Sequence, residues 1–307
     1  MRTIALKVDV DTFRGTREGV PRLVELFKKH NASATFLFSL GPDHTGWAFK
    51  RIFHRGFLKK VKRTSVLSHY GFKTLMYGVL LPGPNIGRRL AEEMRAVKQA
   101  GFEVGIHTYD HVYWQDNVRK KNQEWTAAQL EFAQKAFIEI FSVPAATHGA
   151  AGWQMNDYAF NWLERFSYNS DTRGTSPFFP VLRNVKSNQQ TIMKSMQLPT
   201  TLPTIDEMLG EDNVNESNFA EHLLSLTEPE TQWGHVYTSH AELEGQKLLP
   251  VFERFLLGAK KQGYKFISLK EYFSSLDKTK VNICPIIYNE IPGRSGIVCC
   301  QGCDTRP

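Results

Sequence analysis

The sequence predicts an α/β barrel, and three observations carry that expectation. Seven or so short apolar, β-branched-rich segments alternate with amphipathic segments of helical period, as in a parallel sheet whose strands are joined by helices. The alternation recurs regularly, which favours a barrel over an open sheet. Polar side chains with chemistry to offer cluster directly after the apolar segments, where such a barrel opens its active-site mouth. With 307 residues, 41% hydrophobic and 22% charged, the chain can bury a large core and is neither fibrous nor disordered.

"TIALKVDV" (3–10) reads as a strand that breaks at "DTFRGT". The helix that follows carries Val20, Leu23, Leu26 and Phe27 on one face and stops at Asn31. "SATFLFSL" is the next buried strand. A helix with Ile86, Leu90, Met94 and Val97 in line ends at Gly101, and a strand runs from Phe102 to Ile106. Then come a helix over 126–141, a short strand at "PAATH", a helix at "NDYAFNWLERF" and strands near "YNSD" and "MQLPTT". A helix over 218–226, the strand "GHVYTSH", the helix "KLLPVFERFLLGAKKQG" and the strand "YKFISL" complete the pattern. Residues 1–275 thus read as one catalytic domain, 42–85 as an insertion and 276–307 as an irregular tail.

The first residues contain Asp9 and Asp11 where a secretion signal needs its apolar core, so the expected location is the cytoplasm. No apolar run approaches the roughly 20 residues that span a bilayer. Cys284, Cys299, Cys300 and Cys303 lack the second paired cluster and the late histidine of a zinc knuckle, and they read as reduced, incidental thiols. The net charge of +7 is uneven: no acidic residue lies between Asp43 and Glu92. Lys50, Arg51, Arg55, Lys59, Lys60, Lys62 and Arg63 interleave there with Trp47, Phe49, Phe53 and Phe57. That mixture suits an anionic membrane surface or nucleic acid, or forms a solvated helix face.

Asp9 and Asp11 lie two apart, on one side of an extended strand, and two adjacent carboxylates repel unless a cation or a shared proton relieves them. One can then ligate a metal while the other accepts a proton; alternatively both cap a turn. His107 and His111, four apart, share a face if that segment is helical, and alone they are equally at home on an ordinary turn. Together, one Asp and two His make a facial triad with positions open for water and substrate.

In order, "VDVDT", "HTYDH", "THGAAGW", "SDTRGTSPF" and "VYTSHAE" resemble the five motif blocks of the polysaccharide deacetylase family, and the resemblance spans roughly residues 1–275. It implies a distorted (β/α) barrel, the NodB homology domain, and amide hydrolysis with one divalent metal ion: zinc, cobalt, manganese or iron. By resemblance Asp11, His107 and His111 hold the metal. Asp9 is the general base toward the attacking water, His240 the general acid toward the departing amine, and a backbone N–H near Ala151 donates to the oxyanion. The family's third block usually carries an arginine that orients the base; His148 stands there instead. His148 becomes a candidate orienter of Asp9, with Asp171 or Arg173 sharing the work, and Asp171 a candidate partner of His240.

"HGAAGWQ", "SDTRGTSPF", "YTSHAELEG" and "EIPGRSG" resemble one branch more closely. Its members are bacterial deformylases that remove formate from 4-deoxy-4-formamido-L-arabinose carried on undecaprenyl phosphate, in the lipid A modification pathway at the inner membrane's cytoplasmic face. The expected partners are that lipid-linked sugar and an anionic membrane surface. Lys59, Lys60, Lys62 and Arg63 are the docking candidates and Arg173 a substrate-binding one. Deacetylation of another N-acylated glycan is the alternative. Nucleic-acid binding through the basic segment is a distant third reading, since no base-reading motif accompanies the charge.

Overall fold

The computed structural model describes residues 2–50, 71–183, 190–211, 213–294 and 296–302. Lys59, Lys60, Lys62, Arg63 and Cys303 lie outside the described residues.

Five parallel strands form the first sheet: β1 (Thr3–Val10), β2 (Thr35–Ser39), β3 (Glu103–Thr108), β8 (His235–His240) and β9 (Lys265–Ile267). β1 is central. It pairs with β2 on one side and with β8 along the other, while β9 takes its first residues. The second sheet is mixed, in the order β11-β10-β5-β7-β4, from β4 (Tyr168–Asn169), β5 (Phe178–Arg183), β7 (Met196–Gln197), β10 (Asn282–Glu290) and β11 (Ile297–Gln301). β6 (Gln190–Ile192) hangs on β5.

The expected α/β architecture is present, but among the described residues regular pairing does not close it into one barrel. Isolated bonds stitch the two sheets instead. Ile106 bridges His148, the Ser170 N–H donates to the His148 carbonyl (2.8 Å), and the Thr201 N–H donates to the Val236 carbonyl of β8 (3.0 Å). The segment read as the strand "PAATH" is therefore one bridge, at His148, rather than a ladder.

The longer helices are α1 (Val20–Lys29), α2 (Ala91–Gln99), α3 (His111–Asn117), α4 (Gln123–Phe141), α5 (Asp157–Leu163), α6 (Phe219–Leu226), α7 (Leu249–Lys261) and α8 (Leu269–Ser275). Pro21 sits in the first turn of α1, where a missing N–H costs nothing. Ser268 and Glu271 close a capping box on α8. Except for α8, these helices bury their apolar stripes against the outer face of the first sheet. Phe27 meets Phe36 edge to face with centroids 6.0 Å apart, and Phe36 meets Phe102 at 5.5 Å. A smaller cluster of Ala5, Tyr168, Met196, Leu198, Val236 and Tyr272 lies on the other face of β1, below the polar residues.

The irregular tail expected over 276–307 is a correction. β10 and β11 form an antiparallel hairpin, and β10 joins β5 in parallel. Its strand character is masked in sequence by Pro285 and by outward-facing Ile283, half exposed, so no clean alternation shows. Cys284, Cys299 and Cys300 are buried within it. Among the described residues, no helix is long and apolar enough to cross a membrane.

Candidate active site

Along β1 the side chains alternate: Ile4, Leu6, Val8 and Val10 join the large core, and Ala5, Lys7 and Asp9 take the opposite face. Register sets Asp9 opposite His240 on β8, so the two proton-transfer candidates lie level on neighbouring strands. Between β2 and β3 the register shifts: Phe38 pairs with Ile106 but Ser39 with Thr108, leaving His107 as the extra residue. A bulge of this kind re-aims a side chain. His107 Nε2 comes 3.2 Å from Asp11 Oδ1, and its Nδ1 donates to the Gly149 carbonyl at 2.6 Å.

His111 opens α3, and its Nε2 lies 3.5 Å from Asp11 Oδ2. The histidine pair therefore does not share a helix face. One member ends a bulged strand, the other starts a helix, and Asp110 between them caps that helix by accepting from the Tyr113 N–H (3.0 Å). Ligand atoms of Asp11, His107 and His111 all lie within 4.8 Å of one another. The donor set fits a divalent cation. The proton on His107 Nδ1 leaves Nε2 with its lone pair toward the site, and Asp11 Oδ1 is buried without a hydrogen-bond partner.

Electrostatics agree with that reading. Burial opposes charge on Asp11, but His111, His107 and His240 outweigh it and hold the carboxyl well below the usual range. Glu242, buried behind it, accepts from the Asp11 N–H (3.1 Å), the Thr12 N–H (2.8 Å) and the Thr12 hydroxyl (2.9 Å). Burial, then the Asp11 charge, pushes Glu242 up to about 8. Gly15 makes room for it, since a Cβ there would lie 1.9 Å from Glu242 Oε1.

His240 is partly buried, and its Nδ1, itself buried, has no hydrogen-bond partner. Burial alone would lower its affinity for a proton; the carboxylates of Asp206, Asp11, Glu244 and Asp9 reverse this and raise it to about 9. The acid form thus persists at neutral pH. We expect kcat to fall as pH rises through about 9, or somewhat lower once a cation withdraws the field of Asp11. A His240→Gln variant whose residual kcat shows the same alkaline fall would assign that limb to another group.

Three expected roles are corrected. His148 does not turn to Asp9: its Nδ1 bonds Asp171 Oδ1 at 2.6 Å. Asp171 is accordingly not the partner of His240, since its other oxygen accepts from Gln197 Nε2 (2.9 Å) and its pairing with His148 is wholly buried. Arg173, expected to bind substrate or to share in orienting Asp9, is instead paired with a carboxylate: it lies 3.1 Å from Glu207 Oε2 and sits over Trp153 at 4.9 Å. Its partner Glu207 is distant along the chain, and only the fold reveals that buried carboxylate. Ala151 opens a single short turn, Ala151–Trp153, in which Ala151 and Trp153 are buried.

Sequence reasoning missed Lys7, Glu242, Asp206, Glu207 and Arg294. Arg294, from the loop between β10 and β11, reaches Glu207 Oε1 (2.9 Å) and Asp206 Oδ2 (3.4 Å) and covers the Trp153 ring at 4.4 Å. One signal for Lys7 was available: it stands two residues before Asp9 in an apolar strand, and so on the same face.

An aspartate and a histidine level on neighbouring strands of an α/β fold, beside an Asp-His-His cluster, suit a hydrolase of amide C–N bonds. A family profile described as polysaccharide deacetylase matches residues 1–169, and the chain belongs to that family. It is 36% identical over 297 residues to the probable 4-deoxy-4-formamido-L-arabinose-phosphoundecaprenol deformylase ArnD of Shewanella sediminis, covering 95% of this chain and 92% of that one. The protein of the same description from Wigglesworthia glossinidia brevipalpis is 33% identical, with 94% and 98% covered. Among solved structures, a polysaccharide deacetylase-like protein from Mycobacterium smegmatis superposes with a TM-score of 0.57 at 15% identity, covering 94% of this chain and 96% of that one.

Proposed function

We propose that this chain is a metal-dependent N-deformylase. Its substrate is 4-deoxy-4-formamido-L-arabinose linked to undecaprenyl phosphate, its products are formate and the free 4-amino sugar, and its setting is lipid A modification and resistance to cationic antimicrobial peptides. The observation that carries the chemistry is the level placement of Asp9 and His240 beside the Asp11, His107 and His111 cluster. The two relatives' names supply the substrate.

Asp11, His107 and His111 would hold one divalent cation, of zinc, cobalt, manganese or iron, which when bound polarises the formamide carbonyl and acidifies water. Asp9 accepts the proton of the attacking water as the new C–O bond forms. His240 delivers a proton to the sugar nitrogen as the C–N bond breaks, and the Ala151 N–H steadies the charge on the carbonyl oxygen. A purified, metal-loaded protein should release formate from the lipid-linked formamido sugar. Release of acetate from an N-acetyl glycan, with none of formate from that lipid, would replace this reading with the deacetylase alternative.

A lipid of this length brings the enzyme to an anionic surface, at the inner membrane's cytoplasmic face. The edge of the insertion supports docking there. Leu80 is 76% exposed and Val79 45%, on a turn within the insertion. The same region touches the site: Trp47 stacks on His44 at 3.9 Å, and His44 Nδ1 lies 2.5 Å from Asp110, the cap of the helix that bears His111. Neutralising Lys59, Lys60, Lys62 and Arg63 together should weaken binding to anionic liposomes by roughly 1 kcal/mol per charge. Unchanged binding in a flotation assay would leave that segment a solvated face.

A further inference from the structure

We propose that Lys7 is the positioning residue for Asp9, supplying from the base's own strand the fixed cation that the third motif block lacks. This rests on the reading of Asp9 as the general base. Lys7 is fully buried, and its Nζ lies 3.5 Å from Asp9 Oδ2. A buried ammonium costs several kcal/mol unless it is paired and hydrogen-bonded. Here the pairing is with Asp9, the hydrogen bond goes to the Ser170 carbonyl at 3.1 Å, and the face of Trp153 closes the third side at 5.5 Å.

The neighbouring cations are committed elsewhere. His148 is held by Asp171, and Arg173 and Arg294 are held by Glu207. Among the described lysines and arginines, Lys7 is the one in contact with Asp9. The third block accommodates it. At Gly149 a Cβ would sit 3.3 Å from Lys7 Nζ and 2.4 Å from Leu37 Cδ1, so the chain passes there only without a side chain. The histidine at 148 can therefore stay paired with Asp171 without loss to Asp9, because the charge arrives along β1 at i−2, on the same face.

The two oxygens of Asp9 are thereby made unequal. Oδ2 is drawn to Lys7, while Oδ1, which has no hydrogen-bond partner, lies 3.8 Å from His107 Nδ1. Oδ1 is the atom left to accept the proton of water. Without Lys7 the carboxylate is free to rotate, and a displacement of about 1 Å at such a group costs on the order of 10²-fold in rate.

The test compares Lys7→Met, Lys7→Gln and Lys7→Arg in the metal-loaded protein. Lys7→Met should lower kcat about 10²-fold with KM and metal stoichiometry unchanged, and a crystal structure should show the Asp9 carboxylate turned. Lys7→Arg should restore most of kcat. Should Lys7→Met fail to fold, Lys7→Gln, which keeps a donor for Ser170 without the charge, carries the same expectation. A folded, metal-replete neutral variant with wild-type kcat and an unmoved Asp9 overturns the proposal, as does an equal loss in Lys7→Arg. If the wild type releases no formate, the substrate reading fails, and the crystallographic comparison alone decides Lys7.

Discussion

Replacing Asp9 by Asn should lower kcat about 10²- to 10⁴-fold, the span a positioned general base supplies, while KM and bound metal stay near wild type. The substitution is nearly isosteric, so the packing below it, where Ala5 and the Met196 cluster fill the sheet face, is undisturbed. Asp9 is separate from the Asp11, His107 and His111 cluster, which explains the expected retention of metal. The amide cannot accept the proton that Oδ1 receives, and so the chemical step slows while binding does not. Steady-state kinetics with metal analysis on the same preparation checks this. Wild-type kcat in Asp9→Asn would remove Asp9 from the mechanism.

Removing a ligand has the larger reach. His111→Ala should abolish stoichiometric metal binding and turnover together, by about 10³-fold or more, since several kcal/mol of charge stabilisation are lost. It also has a readout independent of catalysis. A ligand that binds only the folded chain stabilises it by about 4 kcal/mol at a thousandfold excess over Kd. Titrating zinc should therefore raise the thermal midpoint of the wild type and leave that of His111→Ala in place. Lowered pH should mimic the mutant, because protons compete for His107 and His111. An equal thermal shift in both proteins would place the metal elsewhere.

Four residues of the candidate site, Asp9, Asp11, His107 and His111, are legible because they stand at short fixed spacings after apolar strands. The reason for the histidine spacing is not. A helical i,i+4 pair is the obvious reading, yet the structure achieves the convergence with a bulge at His107 and a cap at Asp110. Backbone irregularities of that size leave no periodic trace. The same limit hides Glu242 and Arg294, whose partners are distant along the chain and whose burial depends on which loops meet. The C-terminal hairpin escapes notice because Pro285 and the outward Ile283 blur its period, although its tip supplies Arg294 to the carboxylates beside His240.

The central place of β1 has a consequence for synthesis on the ribosome. Its second edge is completed only by β8, more than two hundred residues later. At about 5–20 residues per second, the nascent chain carries that apolar edge, with Lys7, Asp9 and Asp11, open for roughly ten seconds or more. Until His240 is made and seated, the half-built sheet keeps an edge to which another strand can add, and slower elongation lengthens that interval.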